Sequence, residues 1–287
     1  MRTRSAIHRA AVTARAIGSV VVRPPFVPPG HFYSPQTGDQ DLARALRQAD
    51  AGTPGVDIGE QRQLELAAGF APVLAEPAPG PRYKPDNRMF GPGDASVYRA
   101  MLRLLRPSTV LEIGSGYSTA IALDEAEVAP ELDGLRITCV EPFPQRLLGL
   151  LRAGDRTRLT LLRSPVQDVS LSVFNQLRAG DVLFIDSTHV VKAGSDVGWL
   201  FLRVLPRLAA GVIVHVHDIF WPFEYPAAWL AERRDWTEAY LVHAFLSGNE
   251  DWEILFFASW FWRCHPDRVP PPLATEQPGS LWLRKVR

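Results

Sequence analysis

Cysteine is nearly absent from this chain of 287 residues: Cys139 and Cys264 are the only two, with no CxxC and no Cys/His cluster. That excludes a disulfide framework and a zinc knot, and it fits a reducing, cytoplasmic setting. An excess of charge of either sign is also missing, since Lys plus Arg and Asp plus Glu number 31 each. The charge balance therefore gives no case for nucleic acid or an anionic membrane as partner. No apolar run reaches the roughly 20 residues that span a bilayer. The first 23 residues carry Arg2, Arg4, Arg9, Arg15 and Arg23 and no acid. Thr13 and Arg15 interrupt the apolar stretch from Ala10 to Val22, so the expectation is a surface helix or loose extension, not a signal peptide.

Proline is plentiful, 25 residues in all, and they crowd toward 24–93 and 266–278, which hold 17 of them. GHFYSP, Gly30 to Pro35, sets two aromatics and a His in a stretch that cannot be a helix interior. Helical spacing is present over Asp41–Ala49 and Glu60–Phe70. Residues 1–93 read as an N-terminal extension and wrapping arm, either a linker or a lid over a substrate site. Residues 94–287 read as the main domain.

From Asp94, a candidate N-cap, the pattern becomes regular. Val97, Met101, Leu104 and Leu105 give one helical face, which Pro107 stops. Strands are expected at Thr109–Ile113, Arg136–Val140, Leu159–Arg163, Asp181–Ile185 and Val212–Val216. Helices are expected between them at Ser118–Glu127, Pro144–Leu151 and Ser170–Leu177, with a last one from Val197 kinked near Pro206. Strands alternating with helices imply a doubly wound, mostly parallel α/β sheet covered on both faces. After a helix over Thr237–Leu246, the strands Glu253–Ala258 and Ser280–Val286 have no clear helix between them. They read as an antiparallel pair at the sheet edge, for seven strands in all.

The most specific signal is compound. TVLEIGSGYSTA (Thr109 to Ala120) ends a strand at Glu112 and turns through Gly114, Ser115 and Gly116 into a helix. Glycines there let a ligand lie against backbone N–H groups. The next strand ends ITCVEP, which puts Glu141 at its tip, placed to take both hydroxyls of a ribose. Thr119 stands where a dinucleotide fingerprint would have its last glycine, and no GK[ST] follows, so neither that site nor a phosphate loop is formed. LEIGSGYST with CVEP resembles the first two motifs of class I S-adenosylmethionine-dependent methyltransferases, over roughly Asp94 to the C-terminus. The resemblance implies a Rossmann-like methyltransferase fold with S-adenosylmethionine as cofactor. It sets Glu112, Gly114, Ser115 and Gly116 against the methionine part, Glu141 on the ribose, and Gln167 and Asp168 near the adenine. Asp168 could equally cap a turn. An NAD-dependent oxidoreductase and a non-catalytic nucleotide-binding module remain as alternatives.

DVLFIDSTHV (Asp181 to Val190) and VIVHVHDIF (Val212 to Phe220) then deliver Asp186, His189, His217 and Asp218 to one rim, since neighbouring strands lie about 5 Å apart. Carboxylates so placed suit a hard divalent ion such as Mg²⁺. Imidazole suits a general base near neutral pH, which makes His189 the candidate base beside Asp186. An Asp-x-x-His turn followed by His-Asp also resembles metal-dependent sugar O-methyltransferases, and Asp186, His217 and Asp218 are the ligand set this implies. His217 departs from the acid of that pattern, and His suits softer metals. The acceptor expected is a small molecule or a glycan hydroxyl. Trp221, Phe223, Tyr225 and Trp229 form a candidate acceptor wall, His215 a core histidine. The oligomeric state is left open.

Overall fold

In the computed structural model, residues 25–48, 52–274 and 276–287 are described. The chain divides into two units. The smaller joins residues up to Gln48 with Ala227–Asp235. Helix α1 (Asp39–Gln48) packs on the later excursion, where Thr37 N–H donates to Asp235 Oδ1 at 3.0 Å and Arg233 pairs with Asp39. The extension or surface helix expected over the first 23 residues lies outside the described residues.

The larger unit holds everything else, including two helices before the sheet, α2 (Glu60–Ala68) and α3 (Phe70–Ala75). Buried Gln63 of α2 bonds Ile58 O at 2.6 Å and takes the Phe257 N–H at 2.7 Å, tying this helix to the strand that ends at Phe257. Helix α4 (Pro92–Leu105) starts earlier than the sequence suggests, with Pro92 at a position that needs no N–H donor. Asp94 is not its cap; its carboxylate receives the Gly279 N–H at 3.0 Å.

The sheet follows, with β1 (Thr109–Ile113), α5 (Tyr117–Val128), β2 (Arg136–Val140), α6 (Gln145–Leu150) and β3 (Leu159–Leu162). Next come α7 (Leu171–Phe174), β4 (Val182–Ile185), α8 (Asp196–Trp199) and β5 (Ile213–His217). Seven strands lie in the order β3-β2-β1-β4-β5-β7-β6. The first five are parallel; β7 (Ser280–Lys285) runs antiparallel between β5 and β6 (Trp252–Phe257). The antiparallel edge is as expected, but a helix, Ala258–Cys264, does stand between its two strands. Beyond α8 the helix passes into a wide π turn at Leu200–Val204 and a tight turn at Leu205–Arg207, which accommodates Pro206.

Central strands read as unbroken apolar runs because both faces are covered: every residue of β4 is buried. Register then places the site. Ile113 pairs with Val140 on one side and Ile185 on the other. The next residues, Gly114, Glu141 and Asp186, therefore leave three adjacent strands at one level.

Candidate active site

Gly114 is the tightest point of that edge. It has φ +83°, and a Cβ there would fall 2.0 Å from the Asp186 carbonyl oxygen, so only glycine fits. Ser115 N–H donates to Glu141 Oε2 at 3.2 Å, which binds the tip acid of β2 to the glycine bend. A cavity of about 420 Å³ opens there, within the range of small-molecule sites. Gly114, Glu141, Gln167, Asp186, Thr188, Lys192 and Ser195 are among its lining residues. A second cavity of about 320 Å³ shares Gly114, Glu141 and Asp186 with it and continues over Ser115, Arg146, His189, Asp218, Met89 and Trp236.

Residues 111–219 match a family profile described as a methyltransferase domain. An uncharacterized protein of Archaeoglobus fulgidus is 32% identical over 165 residues, 52% of this chain and 73% of that one. The chain belongs to the class I S-adenosylmethionine-dependent methyltransferases. Among solved structures it is similar to ligand-free CmcI (16% identity, 69% of this chain and 72% of that one, TM-score 0.45). It is also similar to an O-methyltransferase from Bacillus cereus in complex with SAH (13% identity, 85% and 97% covered, TM-score 0.43).

Within this methyltransferase the expected residues separate into those at the cleft and those away from it. Gly114, Ser115, Glu141, Gln167, Asp186, His189 and Asp218 line the two cavities. Glu112 does not: it is fully buried and accepts from Ser118 Oγ at 2.5 Å, Thr119 Oγ1 at 2.6 Å and Cys139 Sγ at 3.4 Å. Burial pushes its carboxyl up to about 7 against those bonds. Glu112 thus braces the glycine turn from beneath and lines neither cavity. Asp168 is exposed and lines neither cavity. Gly116 lies under the Arg146 side chain, whose Cδ would stand 2.9 Å from an added Cβ.

His189 is the hub of the rim. It has φ +60°, and its carbonyl accepts the N–H groups of Thr237 at 2.9 Å and Glu238 at 3.1 Å. These open helix α10, labelled after α9 (Ala227–Ala231), which spans Glu238–Leu246. The His189 ring gives Nδ1 to buried Glu238 Oε2 at 2.9 Å. Its Nε2 stands 3.4 Å from Asp186 Oδ1 and 3.7 Å from Asp218 Oδ2. Burial alone would lower the imidazole pKa; Asp186 and Glu238 overcome it and hold the ring well above its ordinary value. Asp186, which burial would raise, is held below the usual carboxylate range by His217 and His189. Trp236 covers the His189 ring, centroids 4.3 Å apart.

The expected metal set of Asp186, His217 and Asp218 does not fit an ion as arranged. Strand β5 runs one residue further than anticipated, so His217 still pairs with Ser280 inside the sheet. Its ring is buried beside Phe90, centroids 5.1 Å apart, and its Nδ1 has no partner. The His189 ring faces both of the set's carboxylates, with Nε2 3.4 Å from Asp186 and 3.7 Å from Asp218. Among the described residues no three His, Cys, Asp or Glu side chains group so as to hold a metal ion. His215 is a core residue as anticipated, stacked on Phe184 at 3.9 Å, though neither ring nitrogen has a hydrogen bond; burial keeps it well below its ordinary pKa.

The anticipated aromatic wall is elsewhere. Phe223 is buried against His243 at 4.8 Å, and the buried Tyr225 hydroxyl accepts the Ala239 N–H. Trp229 belongs to the smaller unit, under Arg234. Sequence reasoning missed Glu238, Trp236, Met89 and Arg146. The one available signal was Thr237-Glu238 opening a helix, a capping pattern with no hint of its target.

Proposed function

We propose that this methyltransferase methylates a hydroxyl of a small-molecule acceptor, with a sugar or other polyhydroxylated compound as the leading class. The observation that supports it most is the Ser115–Glu141 hydrogen bond. It brings glycine bend and ribose-type acid to one cleft, which runs on to Asp186, His189 and Asp218. Glu141 is the ribose acceptor, Gln167 lies toward the adenine, and the bend, lacking a Cβ at Gly114, leaves room for the amino-acid end. S-adenosylmethionine supplies a methyl group on a sulfonium that is itself the leaving group.

The chain's residues then have to position the hydroxyl and accept its proton. As the C–O bond forms, the attacking oxygen becomes strongly acidic, so a carboxylate suffices as the proton acceptor. Asp186 is ionised and the more exposed of the two acids, and takes that part. His189, charged at neutral pH, is a poor base in this arrangement and instead holds Asp186 and Asp218 in place. No step requires a divalent ion. Met89, near the end of the arm over residues 1–93, lines the acceptor-side cavity, which supports a substrate-side role for that end of the arm.

Calorimetry with S-adenosylhomocysteine and with NAD, followed by a methyl-transfer screen over sugars, phenols and glycosides, tests the reading. Binding of S-adenosylhomocysteine is expected in wild type and Asp186→Asn alike, with turnover lost in the variant. Tight NAD binding without S-adenosylhomocysteine binding would end the proposal. So would full turnover by Asp186→Asn.

A further inference from the structure

The chain is neutral as a whole, but its charge is not spread evenly. Arg2, Arg4, Arg9, Arg15 and Arg23 all precede the first acid, which is Asp39. The stretches of the smaller unit, 1–48 and 227–235, add Arg44, Arg47, Arg233 and Arg234, against only Asp39, Asp41, Glu232 and Asp235. The remainder of the chain therefore carries the balancing negative excess. The same unit shows large apolar side chains to water. Phe26 is 93% exposed, Phe32 80% and Tyr33 69%, where folding usually hides such rings. The turn that presents them is fixed. His31 N–H donates to the Pro28 carbonyl at 3.2 Å, Ser34 N–H to the His31 carbonyl at 2.7 Å, and Tyr33 N–H to His31 Nδ1 at 3.1 Å. Pro25, Pro28, Pro29 and Pro35 lock φ along it. The Phe32 ring stands 4.2 Å from that of His31 and 4.3 Å from that of Tyr33, centroid to centroid, so the rings form one patch. Arg23 is three residues from Phe26, at most about 11 Å along the chain, so cation and patch reach the same surface.

We propose that the aromatic turn over residues 26–33, with the arginines that precede it, is a docking surface for an anionic phospholipid bilayer. Attachment to one leaflet takes two signals, apolar insertion and charge, and this stretch has both. Phe26 and Phe32 enter the boundary between headgroups and acyl chains, Tyr33 keeps its hydroxyl among the headgroups, and the arginines hold acidic lipids. Nucleic acid would also attract the arginines, but Val20, Val21, Val22 and Val27 beside the rings offer aliphatic bulk, which suits acyl chains and gives a base nothing to stack on. Among the described residues no helix is long and apolar enough to cross a membrane, so the surface acts by lying on the bilayer. The inference is independent of the acceptor and of the methyl-transfer reading.

The test sediments full-length protein with sucrose-loaded vesicles of phosphatidylcholine alone, and of phosphatidylcholine with about one-third phosphatidylglycerol. Wild type is expected to partition at least about tenfold more strongly onto the anionic vesicles, and to come off at about 0.5 M salt. Phe26→Ser with Phe32→Ser, exposed changes whose folding is checked by thermal melting, should weaken partition about tenfold and keep the salt dependence. Arg9→Gln, Arg15→Gln and Arg23→Gln together should weaken it roughly a hundredfold, at about fivefold per charge, on the anionic vesicles alone. Equal sedimentation of wild type with both vesicle types overturns the proposal, as does wild-type partition by either variant. Capture of a single-stranded oligonucleotide, or a dimer in light scattering that Phe32→Ser dissolves, overturns it too when vesicles are left unbound.

Discussion

Replacing Glu112 by Gln should flatten the pH dependence of stability between pH 5 and 8. Glu112 ionises near 4.5 when exposed and near 7 in the fold, because burial penalises its charge. Below pH 4.5 both states hold the proton and the group is silent. Between 4.5 and 7 the unfolded chain gives up a proton that the folded chain keeps, so stability falls as pH rises. At about 1.36 kcal/mol per pKa unit, the full loss is about 3 kcal/mol. Glutamine keeps the shape, loses some of the bonds from Ser118, Thr119 and Cys139, and has no such titration. The variant should be the weaker protein at pH 5, and the gap should close by about 2.5 kcal/mol by pH 8, part of the loss having occurred already below pH 5. Asp94, also pushed up to about 7, is present in both proteins and drops out of the difference. Urea unfolding at pH 5, 6, 7 and 8, followed by circular dichroism, measures it. A gap that is constant or widens with pH refutes the buried, protonated Glu112.

Three further outcomes are expected. Gly114→Ala should abolish S-adenosylhomocysteine binding in calorimetry and lower the melting temperature, since the new methyl meets the Asp186 carbonyl at 2.0 Å and cannot be relieved by a rotamer. Arg82→Ala should cost roughly 3–5 kcal/mol in denaturant unfolding, because it strands Asp124 and Asp155, both buried and paired to that guanidinium at 2.7 and 2.6 Å. Turnover should survive dialysis against excess EDTA to within about twofold, as expected where binding shifts little free energy; a complete loss restored by Mg²⁺ would reinstate a metal at Asp186.

The fold was legible because a parallel sheet covered on both faces writes its strands as apolar runs. Thr109–Ile113 and Arg136–Val140 have the bounds that their patterns suggest. The glycine bend and Glu141 were legible for a related reason, since strand-tip chemistry is local. Errors came where one residue of register or one long-range contact decides. A side chain alternates between faces, and the extra residue in β5 carries His217 into the sheet while Asp218 reaches the rim. The resemblance set Glu112 toward the methionine part; its partners Ser118, Thr119 and Cys139 lie one helix turn and one strand away, and no spacing announces them. Glu238 is 49 residues from the imidazole it holds, and no spacing encodes that pairing.

The rim loop after β4 is anchored twice to the same place: the His189 carbonyl takes two N–H groups from the start of α10, and its ring takes the Glu238 carboxylate. Loop and helix are thus one structural unit. A chimera that imports a 186–192 segment without His189 while keeping the native α10 would leave the buried Glu238 carboxylate without the imidazole it holds. Swapping both together is the natural unit of recombination, and the natural place to look when relatives differ in what they methylate.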